Sequence, residues 1–219
     1  MVDSDADMRV GELWRYPVKS MRGERLEAAE LRADGIAGDR VVHVEDEQGR
    51  LVTARARPLL LNLTARLASA GQPLVEGRPW DDTKAAELVR HAVGGGARLV
   101  RHDGLDRFDI LPLLVATDGA IAAFGHDGRR LRPNIVIQGV PGLSERQWEG
   151  RQLRIGDAVI GLDSLRDRCI VTTFDPDTVD QDVEVLRGIR TRFDGKLALN
   201  ARVMHAGTVR TGDRVELLA

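Results

Sequence analysis

Cys169 is the only cysteine in a chain of 219 residues, and it is the side chain best suited to chemistry. It follows Arg166, Asp167 and Arg168, and an adjacent guanidinium favours the thiolate over the thiol. A thiolate is a nucleophile and also the soft ligand that soft metal centres prefer. Against this, a lone cysteine in a cytosolic protein is more often a small buried hydrophobe. The residues alone therefore make Cys169 a candidate for metal or redox chemistry and no more.

Two short segments carry side chains that could bind an anion. Lys19-Ser20 follows a Tyr-Pro-Val turn, and Arg132-Pro133-Asn134 enters a predicted strand. Proline restricts the local backbone, so the neighbouring donors would be held in place. Arginine grips phosphate and carboxylate groups with two parallel hydrogen bonds. The same residues are also common in ordinary surface turns, and that alternative stays open.

Other familiar motifs do not occur in the sequence. There is no Gly-x-x-x-x-Gly-Lys-Ser/Thr loop, and the glycines at 94–96 are typical of a helix end and not of a dinucleotide site. The five histidines are scattered without metal-ligand spacing, so neither a zinc site nor a catalytic triad is expected. The acidic stretch 175–182 lacks the central Gly and closing Glu of a calcium loop.

Composition excludes several classes of protein. The net charge of −2 and the aromatic content of 4% argue against a nucleic-acid partner. No apolar run approaches the roughly 20 residues of a membrane span, so no membrane partner is expected. Residues 1–7 are acidic and lack the apolar region of a signal peptide. One cysteine cannot form an internal disulfide, and the cytoplasm is the expected compartment.

Short apolar runs bounded by Gly, Asp and Pro predict a chain rich in β-strands. A tight turn is predicted at 46–49. The predicted strands cover 9–15, 26–31, 41–45, 51–54, 59–67, 134–138, 152–155, 158–162, 168–173, 201–205 and 214–218.

Few helices are predicted. Over 83–93 the apolar residues recur at i, i+3, i+4 and i+7, starting from Ala85. Asp81 or Asp82 can cap the start of this helix, and Gly94 follows its end. Strands and helices do not alternate as they do in proteins with a parallel sheet, so a mainly β architecture with peripheral helices (α+β) is predicted. Two shorter helices are predicted, at 118–124 and 181–189.

Several segments recur together in an order and spacing typical of one family. The first half contributes 16–23, 35–40 and 51–55, and the second half contributes 108–120, 132–137, 145–150, 154–158, 168–169 and 207–213. Taken together, these segments resemble the MOSC family, named for the C-terminal domain of molybdenum cofactor sulfurase, in its form with an N-terminal β-barrel domain. The match runs over nearly the whole chain and is more specific than any one motif.

The resemblance implies an N-terminal β-barrel subdomain, residues 1–104, packed on a MOSC β-barrel domain, residues 105–219, with a molybdenum cofactor (Mo-molybdopterin) between them. Cys169 would ligate molybdenum and act in catalysis. Many relatives carry a hydroxyl near 118–120, where this chain has Ala120, and either Thr117 or backbone amides would replace it. The residues implied to bind the cofactor are Lys19, Ser20, Arg40, Arg55, Thr117, Arg132, Pro133, Asn134 and Arg168.

The resemblance also implies a function, which is a molybdenum-dependent reductase that acts on small N-hydroxylated compounds. One cysteine cannot hold an iron–sulfur cluster, so the electrons are expected from a separate electron-transfer protein. A different class of function uses the same site, namely a carrier that holds the cofactor or a sulfur atom on Cys169 and passes it on. A weaker third hypothesis makes Lys19 a Schiff-base lysine for pyridoxal phosphate, although no pyridinium partner is recognisable near it.

Overall fold

The computed structural model describes residues 8–218. The expectation of no signal peptide rests on the acidic segment 1–7, which lies outside the described residues, as does residue 219. Over this range the chain is mainly β with three α-helices, which confirms the predicted fold class. The strands are β1 (Arg9–Arg15), β2 (Glu24–Leu26), β3 (Ala28–Arg32), β4 (Gly35–Ile36), β5 (Val42–Glu45), β6 (Leu51–Val52), β7 (Ala65–Leu67), β8 (Pro73–Val75), β9 (Arg78–Pro79), β10 (Arg98–Arg101), β11 (Leu113–Thr117), β12 (Ile135–Gln138), β13 (Gln152–Ile155), β14 (Ala158–Asp167), β15 (Lys196–His205), β16 (Gly207–Arg210) and β17 (Val215–Leu218).

The helices are α1 (Thr83–Val93), α2 (Asp118–Phe124) and α3 (Val183–Phe193). The bounds predicted for α1 and α2 are confirmed, and α3 is shifted toward the C-terminus of its predicted range. The Asp82 carboxylate caps α1 by accepting from the backbone N of Lys84 at 2.8 Å. No helix in the described range is long and apolar enough to cross a bilayer.

The largest sheet has eight strands in the order β17-β13-β14-β15-β11-β12-β1-β2. Adjacent strands in this sheet are antiparallel except for β11 and β12. These two strands are parallel and are joined by the connection that contains α2. Strands from both halves of the chain therefore share one sheet.

Three smaller sheets have the orders β10-β5-β6, β16-β3-β4 and β7-β8-β9. The pairing of β3 with β16 again joins the two halves of the chain, because Leu31 lies opposite Gly207. The division into domains 1–104 and 105–219 stays a prediction.

Two apolar clusters support the region where the halves meet. The larger one lies on the eight-stranded sheet and includes Leu13, Ile135 and Leu199. The smaller one contains Val18 and Met21, which are fully buried. These two residues flank Lys19-Ser20, so burial of their side chains anchors that short loop.

Two predicted strands are wrong. The first four residues of 59–67 belong to a 3-10 turn at Pro58–Asn62, and only Ala65–Leu67 is a strand. The second, 168–173, contains a 3-10 turn at Ile170–Thr173. Threonine hydroxyls close this turn: Thr172 donates to the Cys169 carbonyl at 2.8 Å, and Thr173 donates to the Ile170 carbonyl at 2.6 Å. Local side-chain bonds to the backbone compete with strand pairing and here override the β-branched pattern.

Gly119→Ala should strongly destabilise the protein. Gly119 lies in α2, and a Cβ there would come within 2.2 Å of the Val140 carbonyl oxygen and 2.4 Å of the Gly142 carbonyl oxygen. Backbone atoms cannot move aside as side-chain ends do, so the free energy of unfolding should fall by about 3 kcal/mol, the upper end of ordinary overpacking costs. Urea unfolding followed by circular dichroism measures this change.

Gly188→Ala in α3 is the matched control. Its Cβ would meet only the guanidinium end of Arg192, at 3.8 Å. Alanine is the better helix former, so this variant should gain about 0.5–1 kcal/mol. Equal stabilities for the two variants would contradict the close packing of α2 on the 140–142 loop.

Candidate functional site

A cleft of about 110 Å³ opens beside Cys169 at the meeting of segments that are far apart in sequence. Cys169 lies just after β14, immediately before the 3-10 turn, and is partly exposed. Eight of the residues predicted to form the site line this cleft: Lys19, Ser20, Arg40, Arg55, Arg132, Asn134, Arg168 and Cys169.

Three of these lining residues have a left-handed backbone. The φ angles of Ser20, Arg40 and Arg132 are 70°, 55° and 56°. For residues with a Cβ this conformation costs on the order of 1–3 kcal/mol, and it persists where the surrounding structure holds it in place. The backbone N of Arg40 donates to the Tyr16 carbonyl at 2.8 Å. Such strain is concentrated at functional sites, which favours a binding role for the cleft.

Lys19 is held from two sides. Its Nζ donates to the Arg107 carbonyl at 2.7 Å and pairs with the Asp109 carboxylate at 2.9 Å, and the residue is 8% exposed. The adjacent Ser20 Oγ accepts from the backbone N of Ala54 at 3.0 Å. These bonds connect the 19–20 loop to two other segments of the cleft wall, so the ammonium group has a defined position.

Arg40 and Asn134 are oriented by Asp39, which is fully buried beneath the cleft. The Asp39 carboxylate accepts from the Tyr16 backbone N at 2.6 Å and from Asn134 Nδ2 at 3.2 Å, and it pairs with the Arg40 guanidinium. Asn134 Oδ1 accepts from the Leu114 backbone N at 3.1 Å. The amide of Asn134 is thus committed to the protein and shapes the wall of the cleft.

Arg132 and Arg168 are partly buried cations whose hydrogen bonds go to backbone carbonyls. Arg132 donates to the Met21 carbonyl at 2.7 Å and lies over the Tyr16 ring, 4.2 Å from its centroid. Arg168 donates to the Leu131 carbonyl at 2.7 Å, and its buried Nε has no partner among the described residues. Burial lowers the pKa of each guanidinium to about 10, which leaves both charged at neutral pH. Buried charge without a counter-ion is costly, and the pair is suited to an anionic ligand.

Asp109 also lines the cleft, and sequence reasoning missed it. Its carboxylate pairs with Lys19 at 2.9 Å, Arg55 at 2.5 Å and Arg166 at 3.3 Å. Burial opposes ionisation, but the hydrogen bond and charge of Lys19, aided by the two arginines, outweigh it and hold the pKa of Asp109 at about 2. A hydrogen bond to Cys169 is the main cause that raises the pKa of Arg55. The only signal for Asp109 in the sequence was its place in the matched segment 108–120.

Thr117 and Pro133 were predicted to bind the cofactor, but the structure does not bring them into the cleft lining. The Thr117 hydroxyl is buried, accepts from the Ala120 backbone N at 3.1 Å and donates to Glu145 at 3.3 Å. It caps α2, and its role in cofactor binding stays a prediction. The Pro133 carbonyl accepts from the Tyr16 hydroxyl at 3.1 Å.

Fold and cleft together define a mainly β protein with a cationic, thiol-bearing site between sequence-distant segments. Residues 7–90 match the MOSC N-terminal beta barrel domain, and residues 120–216 match the MOSC domain. The chain belongs to the MOSC family, in the form with the N-terminal domain, and the resemblance drawn from its motifs is confirmed.

The chain is similar to several characterised proteins. It is 27% identical over 280 aligned residues to mitochondrial amidoxime-reducing component 1 of Homo sapiens, covering 95% of this chain and 82% of that protein. It is 32% identical over 84 residues to molybdenum cofactor sulfurase of Bombyx mori, covering 38% of this chain and 10% of that one. The crystal structure of the YUAD protein from Bacillus subtilis aligns with 96% of this chain and 94% of its own, with 15% identity and a TM-score of 0.49.

Proposed function

We propose that this protein is a molybdenum-cofactor-dependent reductase of small N-hydroxylated compounds. The observation that carries the proposal is the convergence of Cys169 with partly buried arginines and a buried lysine in one cleft. Membership of the MOSC family and similarity to a protein named for amidoxime reduction support the same class of reaction.

The donor set suits a phosphate-bearing pterin dithiolene that carries molybdenum. Such a ligand needs cationic donors for its phosphate and one soft protein ligand for its metal. The cleft offers a single thiol at Cys169, and the buried Nε of Arg168 is a donor that still lacks an acceptor. When bound, the cofactor would supply two-electron redox chemistry.

The residues of the chain would divide the remaining work. Lys19, Arg132 and Arg168 would hold the phosphate, because their charges are shielded from solvent at least in part and are fixed in position. Arg55, whose pKa is raised chiefly by its hydrogen bond to Cys169, would keep its positive charge beside the metal ligand. In the overall reaction two electrons and two protons convert R–NH–OH into R–NH₂ and water.

The carrier hypothesis uses the same cleft and gains support from the local similarity to a molybdenum cofactor sulfurase. A carrier would bind the cofactor or a sulfur atom at Cys169 without multiple turnovers. The pyridoxal phosphate hypothesis is less well supported, because the Nζ of Lys19 is held by the Arg107 carbonyl and the Asp109 carboxylate and is not free to attack an aldehyde.

Electron supply separates these functions. Purified from a host that makes the cofactor, the chain alone should not oxidise NADH with an amidoxime present, and it should turn over once reduced viologen or a separate electron-transfer protein is added. The reason is that the sequence has no dinucleotide-binding glycine pattern and only one cysteine. Loss of amidoxime, followed by chromatography, is the measurement.

Molybdenum analysis and an absorption spectrum of the same preparation are the controls for loading. NADH-driven turnover by the chain alone would reveal a second cofactor site. If the chain is fully loaded with cofactor and none of the donors supports turnover, the result would favour the carrier. A preparation free of molybdenum would refute the reductase and the cofactor carrier and would leave only a carrier of sulfur.

A further inference from the structure

The cleft carries more positive charge than its acidic groups offset. Among the described residues, its lining has six cationic side chains and two carboxylates. Arg40 pairs with Asp39, beneath the cleft, while Arg132 and Arg168 donate to backbone carbonyls. The other three cations, Lys19, Arg55 and Arg166, all pair with Asp109.

Both oxygens of the Asp109 carboxylate bind cationic side chains of the cleft. One oxygen, Oδ1, is 2.9 Å from Lys19 Nζ. The other, Oδ2, is 2.5 Å from the Arg55 guanidinium and 3.3 Å from that of Arg166. The side chain is 31% exposed, so it lies at the accessible surface of the cleft and not behind it.

The carboxylate occupies the place where an anionic ligand would meet the same cations. A carboxylate and a phosphate both accept paired hydrogen bonds from lysine and arginine, so they compete for these donors. An anion that enters the cleft must either displace Asp109 or lie beside a like charge. A unit charge about 4 Å away acts, at an effective dielectric constant near 20, with enough energy to change affinity well over tenfold.

We propose that Asp109 is the internal counter-ion of the cleft, which stabilises the ligand-free protein and limits its affinity for the anionic ligand. The inference rests on the proposed function only in taking the ligand to be an anion. It assigns Asp109 a specificity role, because an anion must bring more negative charge than a single carboxylate to replace it. Weakly charged anions would then be kept out of the cleft.

The test measures binding of inorganic phosphate to the full chain, purified without cofactor, by calorimetry. Asp109→Asn should bind phosphate at least tenfold more tightly than the wild type. Its ligand-free midpoint of thermal unfolding should fall by about 2–4 °C or more, and saturating phosphate should raise that midpoint further than it does in the wild type. The control Asp163→Asn removes the same charge from an exposed pair with Arg202 outside the cleft and should leave phosphate affinity unchanged.

Equal or weaker phosphate binding by Asp109→Asn would overturn the proposal, because the carboxylate would then position the cations and not compete for them. Should Asp109→Asn fail to fold, Arg166→Gln lowers the excess positive charge. Asp109→Asn in that background should still bind phosphate more tightly than Arg166→Gln alone, and no gain would count equally against the proposal. These readouts need no molybdenum, so they remain decisive even if the chain loads no cofactor.

Discussion

Cys169→Ser is expected to abolish molybdenum-dependent turnover while leaving the fold intact. Serine is nearly isosteric, and the structural role of Cys169 belongs to its backbone, whose carbonyl accepts from the Thr172 hydroxyl at 2.8 Å. The thiol makes no capping hydrogen bond in the 3-10 turn that follows it. Losing the soft metal ligand should therefore cost far more than losing its packing. Turnover should fall by more than about 100-fold, the upper range seen when only an outer partner of a metal ligand is lost.

The measurement is amidoxime loss with reduced viologen, together with molybdenum content and the absorption spectrum. Thermal unfolding of the variant without cofactor controls for the fold and should match the wild type within about 0.5 kcal/mol, as for most surface changes. A serine variant with full turnover and an unaltered spectrum would refute the ligand assignment.

Arg132→Ala is expected to weaken cofactor retention by about tenfold or more. Arg132 is a partly buried residue on the cleft wall. Its guanidinium is held over the Tyr16 ring and by the Met21 carbonyl, so its charge cannot turn away from a bound phosphate. A hydrogen bond to a charged group contributes roughly 1.5–3 kcal/mol, which corresponds to at least tenfold in affinity. Cofactor occupancy after gel filtration measures the loss.

Arg98→Ala is the matched control, since it removes the same side chain from an exposed pair with Glu45 in β10. Its cofactor occupancy should equal that of the wild type. If the two variants retain the cofactor equally, Arg132 does not hold the phosphate. Urea unfolding of both cofactor-free variants separates a binding defect from the loss of the stacking contact with Tyr16.

Local signals in the sequence were sufficient for the helices. The periodicity of α1 predicted its bounds, and Asp82 and Gly94 act as the expected cap and stop. The bounds of α2 were also predicted. A helix can be predicted from the local sequence because its hydrogen bonds and side-chain contacts lie within four residues. The tight turn at 46–49 has the same local character: Asp46 accepts from the backbone N of Gln48 and of Arg50.

Strands were predicted less well, because their partners are far away in the chain. β11 was missed although it lies near the middle of the main sheet and is buried along its whole length. A strand that is buried on both faces lacks the alternation of apolar and polar residues that predicts a strand from sequence. β3 pairs with β16 from the other end of the chain, and β16 was likewise missed. Conversely, a strand was predicted at 168–173 because of its β-branched residues. Hydrogen bonds from threonine hydroxyls to backbone carbonyls make most of this segment a turn.

By itself, the sequence determined which chemistry was available: one thiol, an excess of arginine over lysine, and motifs in an order typical of the MOSC family. Only the tertiary structure decided how that chemistry is assembled. It brought Asp109 to Lys19, Arg55 and Arg166, which come from three other segments of the chain. The physical reason is that a helix cap depends on neighbours in the chain, whereas the charge balance of a cleft depends on side chains from four distant segments.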